Sequence, residues 1–477
     1  MAVYANDDEF WESSDRLRYI RDTARATRSA PWAVLLATLV RVAVVTPPNV
    51  VTPSFEGKCP GPFNMFGAII GRSGDGKGLA TGVAASLVPD LRGAATTIPV
   101  SGEGLPTLFS VREPEDGGDA DAGDEGKGRT VLKCVNTRAF LNVPEVSVLG
   151  AAMNRLGSTL TGSLASVWSG ETLGGQNVNP AKRLKAVAYG YRVGMIVGVQ
   201  PGNADALTGE DTTGIPQRIL WATTLDLDAP KVRPEEPAGE FGFDAAKLKG
   251  YEPTPFNLSG LYKSGDYWSY RNSDTGKPLY PLHHLTYPQC VYDAMDPDAY
   301  DRLHGTRPDG MDGHALFSMA RTAGVLAIME QREGMELTVT EDDWARAEYI
   351  AKRSREFREQ CMNAGRRERR GKRRDALADE LVAKDEAQEI AEREKAERDY
   401  RRYAKRVENA LTKHDAKREG MAGYMVQKKT GISTADTYRT IERMYTENML
   451  DKIGPDLGEG HTASQLWALV SAPTPSV

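Results

Sequence analysis

The chain opens with two segments of helical period. "RLRYIRDTARATRS" mixes basic and apolar positions at helical spacing, and "PWAVLLATLVRVAVV" follows with proline at a tolerated first-turn position. Residues 13–45 are therefore predicted to form two helices parted at Pro31. After the loop "TPPNVVTPSFEGKCPGP" the texture changes to short apolar runs separated by glycine turns and helix-like stretches: "NMFGAII", "TTIPV", "AFLNVPEV", "RVGMIVGVQ" and "RILWATT". Strands covered on both faces lose the polar half of the alternating pattern, so this rhythm predicts an α/β core with a largely parallel sheet. Between the second and third runs, "REPEDGGDADAGDEGKGR" is acidic, rich in glycine and without apolar period, and reads as a surface loop without chemistry.

The second half is organised differently. Residues 236–310 are rich in Pro, Gly and Tyr and are expected to form an irregular extension packing on the core. Residues 311–351 read as helices, with Thr340 as an N-cap followed by acids in the first turn. Residues 352–404 are dominated by charge and predict a long solvated helix. In residues 405–477, "GYMVQKKTGISTADTYRTIERMYTENMLDKIG" gives helix, turn at Gly431 and helix, with apolar spacing at Tyr438, Ile441 and Met444. "SQLWALV" then reads as a closing strand, the layout of a winged helix-turn-helix. The expected divisions are thus 1–50 helical, 51–235 core, 236–310 extension, 311–351 helical lid, 352–404 charged helix and 405–477 winged tail.

Composition narrows the class only slightly. A chain of 477 residues is long enough for two or three domains, and a net charge of −6 argues against a wholly basic nucleic-acid coat while leaving local patches open. Cys59, Cys134, Cys290 and Cys361 lie far apart with no C-x-x-C pair, so reduced thiols in a cytoplasm are expected rather than zinc. The most apolar stretch, Ala33 to Val45, is short and carries Arg41, which predicts a buried helix and no membrane association.

The clearest chemical signal is "GRSGDGKG", residues 71–78, between the apolar run "FGAII" and the helix-like "LATGVAASLVP". Gly71, Gly74 and Gly76 allow backbone N–H groups to converge on phosphate oxygens, and Lys77 reaches the outer phosphates at a helix N-terminus. Arg72, Ser73, Asp75, Gly78 and Leu79 complete the expected ATP-binding segment. Gly78 stands where a hydroxyl usually helps to hold Mg²⁺, so the ion must rely on carboxylates, water, or a displaced hydroxyl such as Ser73 or Thr81. The bland alternative is a glycine turn with a surface lysine.

Hydrolysis needs a carboxylate at a neighbouring strand end. Glu145 in "AFLNVPEV" and Glu103 in "PVSGEGL" are both candidates, each weighed against a solvated loop acid, and Glu145 is the expected metal partner. Gln200 ends the run "VGMIVGVQ", where an amide can meet a terminal phosphate or its water. Arg218 in "TGIPQRILW" sits at a strand entrance, where an arginine is either a surface charge or a group that completes a neighbouring subunit's site. Lys182, Arg183 and Lys185, after "WSGETLGG", offer positive charge to a phosphate backbone or form a solvated loop.

The ordered words G-x-x-x-x-G-K-G, "SGEGL", "VPEV", "VWSGE", "AKRL", "VGVQP", "GIPQRILW", "DGHALFSMARTAGVLAIME" and "VTEDDW" resemble those of P-loop ATPases of actinobacterial phages, plasmids and integrative elements, of the phage primase/helicase type. The resemblance spans roughly residues 15–350. It implies a P-loop NTPase core, AAA+ or RecA-like, that binds ATP and Mg²⁺ and acts on DNA in replication of a mobile element inside a bacterial host. It further implies a homo-oligomeric, hexameric ring, with Lys77 on phosphate, Glu145 as acidic partner, Gln200 as strand-end sensor and Arg218 as the trans arginine. No primase domain is expected, so a primase or replication initiator is an implied partner.

DNA contacts are sought in two places. "RRERRGKRR" at 366–374 puts Arg366, Arg367, Arg369 and Arg370 in one basic block able to neutralise phosphates, although sign alternation behind it also fits a solvated helix. In the tail, Thr434, Thr437, Tyr438 and Arg439 fall early in the expected recognition helix. Two functions follow: an ATP-dependent DNA helicase or translocase, or an ATP-switched DNA-binding or helicase-loading protein with slow turnover.

Overall fold

The computed structural model describes residues 4–55, 60–114, 130–174, 184–208, 214–252, 261–263, 270–272, 281–306 and 313–470. The chain divides into two compact units, Met1–Arg369 and Arg370–Val477. Among the described residues no helix is long and apolar enough to cross a membrane.

The first unit is mixed α/β. Three helices open it: α1 (Asp7–Glu12), α2 (Asp15–Ala26) and α3 (Pro31–Val45). They lead into β1 (Met65–Ile70), α4 (Lys77–Leu87), β2 (Ala95–Thr97), β3 (Arg138–Val143), α5 (Val146–Met153), α6 (Leu160–Ser169), β4 (Arg192–Val199) and β5 (Ile219–Thr223). The five strands form one sheet in the order β2-β3-β4-β1-β5. All four pairings are parallel, with Ile70 facing Val199 on one side and Thr223 on the other. Each apolar run read in the sequence therefore becomes a strand, and β1 and β4 are buried at every position.

Helix α3, the most apolar segment, is covered by protein along its whole length. All 15 of its residues are buried, and Arg41 donates to the carbonyls of Val88 and Pro89. It crosses the sheet at two strand glycines. A Cβ at Gly67 would meet Leu36 at 3.0 Å, and one at Gly194 would meet Val44 at 2.4 Å, so the absence of side chains there admits the helix.

After β5 come α7 (Gln289–His304), α8 (Ala315–Glu330) and α9 (Glu341–His414). Helix α7 lies in the stretch expected to be irregular. Helix α9 begins as predicted: the Asp343 N–H donates to Thr340 Oγ1 at 3.2 Å, and the Thr340 N–H to Asp343 Oδ2 at 3.0 Å, a reciprocal cap. It then runs 74 residues without a break, so the divisions drawn at 351 and 404 both fall inside one helix. A hairpin that the sequence pattern did not suggest, Ser110–Pro114 against Thr130–Cys134, flanks the acidic segment; residues 115–129 lie outside the described residues.

The second unit contains the end of α9, then α10 (Gly423–Thr430), α11 (Thr434–Thr446), β6 (Leu450–Ile453) and β7 (Leu466–Leu469). Gly431 ends α10 in the left-handed region, at φ 61°. The Ser433 hydroxyl caps α11 by accepting from the Asp436 N–H at 3.2 Å. β6 and β7 pair antiparallel beside Met421–Ala422. Val407, Leu411, Val426, Ile441, Met444 and Trp467 form a separate small core.

Candidate functional site

Because the five strands are parallel, their carboxyl ends and the loops that follow all emerge on one edge of the sheet, the edge where open α/β sheets bind ligands. Three of those loops carry the residues singled out in the sequence. Residues 71–78 follow β1, Glu145 follows β3, and Gln200 follows β4. The strand order sets β4 between β1 and β3, which brings Gln200 between Lys77 and Glu145.

The glycine loop has the shape its sequence predicts. Gly74 and Gly76 hold φ of +86° and +83°, a region that side chains other than glycine rarely enter. At Gly71 a Cβ would stand 2.5 Å from Thr224 Oγ1, so that position too must be bare. Helix α4 starts directly at Gly76 without a side-chain cap, leaving its first-turn N–H groups to face the loop. The exposed Asp75 carboxylate accepts the Arg72 N–H at 2.7 Å, a bond that closes the loop's turn.

A cleft of about 340 Å³ opens over this loop. Arg72, Ser73, Gly74, Gly76, Lys77 and Gly78 form one wall, and Asn142, Pro144 and Glu145 the other. Lys77 Nζ donates to the carbonyls of Gly71 and Arg72, both at 2.9 Å, and lies 3.8 Å from Glu145 Oε1. The second carboxylate oxygen, Glu145 Oε2, accepts from Gln200 Nε2 at 3.0 Å. One carboxylate is thus held between an ammonium and an amide. The approach depends on Gly198: a Cβ there would be 2.1 Å from the Pro144 carbonyl oxygen.

The backbone and donor set fit a nucleoside triphosphate. A turn of left-handed glycines, an uncapped helix start and a half-enclosed lysine provide N–H and ammonium donors for phosphate oxygens. For Mg²⁺ the set is sparser. Among the described residues there is no group of three or more His, Cys, Asp or Glu side chains able to hold an ion by themselves. Glu145 is the carboxylate in the cleft, and Thr81, a helical turn beyond Lys77, brings a hydroxyl to its lining. Thr81 Oγ1 donates to the Gly78 carbonyl at 2.9 Å. Gly78 itself is not sterically required, since nothing lies within 4 Å of a Cβ built there.

The other sequence candidates fall elsewhere. Glu103 is exposed and accepts from Thr159 Oγ1 at 2.6 Å, a hydrogen bond that holds its carboxyl below the ordinary range; it does not line the cleft. Leu79, also in the segment, is exposed on α4. Arg218 precedes β5 and therefore stands at the opposite end of the sheet from residues 71–78. It donates to the Gly214 carbonyl at 2.6 Å, and its guanidinium lies 5.2 Å from the Trp168 ring. Burial lowers its pKa. Among the described residues, the partners found for it do not line the cleft.

Of the proposed DNA contacts, Lys182 and Arg183 lie outside the described residues. Lys185 is exposed, and its N–H donates to Ser110 Oγ. Arg366, Arg367 and Arg370 are exposed on α9, whereas Arg369 pairs with Asp205 at 2.7 Å. Arg439 is exposed on α11 with Asp436 at 3.7 Å. Thr437 requires correction. It is fully buried, and its hydroxyl donates to the Ser433 carbonyl at 2.9 Å, so it belongs to the core of the C-terminal unit and cannot touch DNA. Its position four residues before Ile441 and seven before Met444 places it on the apolar stripe, and the internal hydrogen bond removes the cost of burying its oxygen.

Asn142 was not anticipated. Its signal is a polar residue inside the apolar run "AFLNVPEV", two before Pro144, where strand alternation carries it to the cleft side. No protein-family model matches the chain, and no curated protein matches it either.

Proposed function

We propose that the chain is a P-loop ATPase with an AAA+-type core, working as an ATP-dependent DNA helicase or translocase in the replication of a phage or mobile element. The observation that carries the ATPase reading is the convergence of Lys77, Glu145 and Gln200, from three parallel strands, over a loop of left-handed glycines. Helix α8 and the start of α9, following β5, support an AAA+ lid.

In this reading the loop amides and Lys77 hold the phosphates and neutralise charge as it develops at the outer end. Glu145 acts as general base, accepting the proton of the attacking water. Gln200 is a positioning residue: its amide fixes one carboxylate oxygen so that the other stays turned towards Lys77. Glu145 and the Thr81 hydroxyl, both in the cleft lining, are the groups that would hold Mg²⁺, which would neutralise phosphate charge there. Arg218, at the opposite end of the sheet from its own cleft, is the group offered to a neighbouring copy in a ring. Exposed Arg366, Arg367, Arg370 and Arg439 supply cationic contacts for DNA, with the C-terminal unit as a winged helix-turn-helix.

A second reading, an ATP-switched DNA-binding or loading protein, is favoured by two features of the described cleft lining: glycine in place of a hydroxyl at Gly78, and Glu145 without a second carboxylate beside it. One experiment separates the two. ATP hydrolysis is followed with and without single-stranded DNA, beside Lys77→Ala and Glu145→Gln. A DNA-stimulated rate lost in both variants supports the motor. Tight ATP binding with negligible turnover supports the switch, and no ATP binding rejects both.

A further inference from the structure

A second cavity, of about 140 Å³, opens at the carboxyl end of β5. Its walls include the buried rings of Trp11, Trp32 and Phe357 together with Leu225 and Gln360. The charged groups beside it are largely committed. Asp7 accepts from the Trp32 indole N–H at 2.8 Å and the Tyr349 hydroxyl at 2.7 Å, and Arg25 forks onto Asp226 at 2.9 and 3.2 Å. Two exposed side chains stand at its rim and are open to a ligand. Leu225 is 61 % exposed at the cavity, and the Gln360 side-chain amide makes no hydrogen bond among the described residues.

The place of this cavity relative to the glycine loop follows from the strand order. Glu145 and Gln200 lie on the β3–β4 side of β1, and β5 lies on the other side. Thr224 Oγ1 donates to the Ile70 carbonyl at 3.0 Å and packs on Gly71, and its neighbour Thr223 lines the cavity. A nucleotide with its terminal phosphate at Lys77 and Glu145 would have the β5 side of Gly71 open to its base.

Resting on the ATPase reading above, we infer that this cavity is the base site of the same nucleotide, and that Gln360 selects adenine. The aromatic and leucine walls take the faces of a planar ring out of water. A glutamine amide donates to N7 and accepts from the 6-amino group of adenine, matching both groups on that edge. Guanine presents two acceptors there, O6 and N7, which call for two donors, as an arginine provides.

The test is equilibrium binding of ATP, GTP and inorganic tripolyphosphate, each with Mg²⁺, to the full chain and to Gln360→Arg, Leu225→Asp and Lys77→Ala. Gln360 and Leu225 are exposed, so both substitutions leave the fold intact. The wild type is expected to bind ATP over GTP by a factor on the order of ten or more. Gln360→Arg should shrink or invert that ratio, and Leu225→Asp should weaken both nucleotides, while neither changes tripolyphosphate binding. Lys77→Ala should weaken all three ligands. An ATP-to-GTP ratio unchanged in Gln360→Arg, with ATP still binding, overturns the base site and leaves the ATPase reading standing. Failure of the wild type to bind ATP or tripolyphosphate overturns both.

Discussion

Lys77 Nζ and Glu145 Oε1 stand 3.8 Å apart although 68 residues of sequence and the whole of β2, β3 and their connections separate them. The two are joined through a third strand, because Gln200 at the end of β4 holds the other carboxylate oxygen. Opposite charges at this distance in a half-enclosed cleft define where a phosphate can displace one partner and a water can meet the other.

Lys77→Ala and Glu145→Gln should therefore fail differently. Removing the ammonium costs nucleotide affinity. Replacing the carboxylate by its isosteric amide keeps affinity but lowers turnover about 10²–10⁴-fold, the usual worth of a general base. Binding measured separately from single-turnover hydrolysis distinguishes them, and equal loss of affinity in both would refute the division of labour.

Gln200→Ala is expected to release Glu145 without touching phosphate. Loss of one hydrogen bond to a charged group is worth about 1.5–3 kcal/mol, so turnover should fall roughly ten- to a hundredfold. The affinity for ATP should hardly move. If affinity falls and turnover does not, Gln200 contacts the nucleotide rather than the base.

Two glycines of the site should respond in opposite ways. Gly78→Ser meets open space and should fold as well as the wild type while tightening Mg²⁺ dependence, read as a lower half-saturating Mg²⁺ concentration. Gly198→Ala would set a methyl group 2.1 Å from the Pro144 carbonyl oxygen, so it should destabilise by about 1–3 kcal/mol and displace Glu145. Thermal unfolding of both variants decides the point.

The C-terminal unit should lose stability in acid through Arg443. Its guanidinium bonds Glu397 at 2.7 Å and Glu447 at 2.8 Å. It is the main cause holding the Glu397 carboxyl below its ordinary value near 4.5, and it acts on Glu447 after the Tyr400 hydroxyl does. Folded values below unfolded ones mean that the stabilisation is complete above about pH 5 and fades as the pH falls through the folded values. Arg443→Ala should flatten that fall, as followed by hydrogen exchange across α11 corrected for its intrinsic pH dependence.

What the sequence revealed depended on how the physics is written in it. The central strands β1 and β4 were legible because double-sided burial makes them nearly continuous apolar runs, and the glycine loop because left-handed turns leave a fixed spacing of glycines. The strand order was not, since nothing local says that β4 enters between β1 and β3; hence Glu103 stayed a second candidate beside the preferred Glu145, and only Glu145 lines the cleft. The hairpin at 110–114 and 130–134 is short, and its sequence carries little alternation. Thr437 misled because a polar residue was assigned to the surface, when its own helix supplied the partner that allows it inside.

The sheet's two margins differ from its middle. At one, β2 is only three residues long; at the other, the Trp221 N–H of β5 donates to Ser354 Oγ of α9 at 2.8 Å, so a helix side chain occupies part of that strand's outer row of donors. Among the described residues, the one margin is short and the other has its central outward N–H taken, which limits how far the backbone of another molecule could continue the ladder. In the proposed ring, copies of this chain would recognise one another by the shapes and charges of their side chains, an arrangement that could loosen and re-form without unravelling a strand.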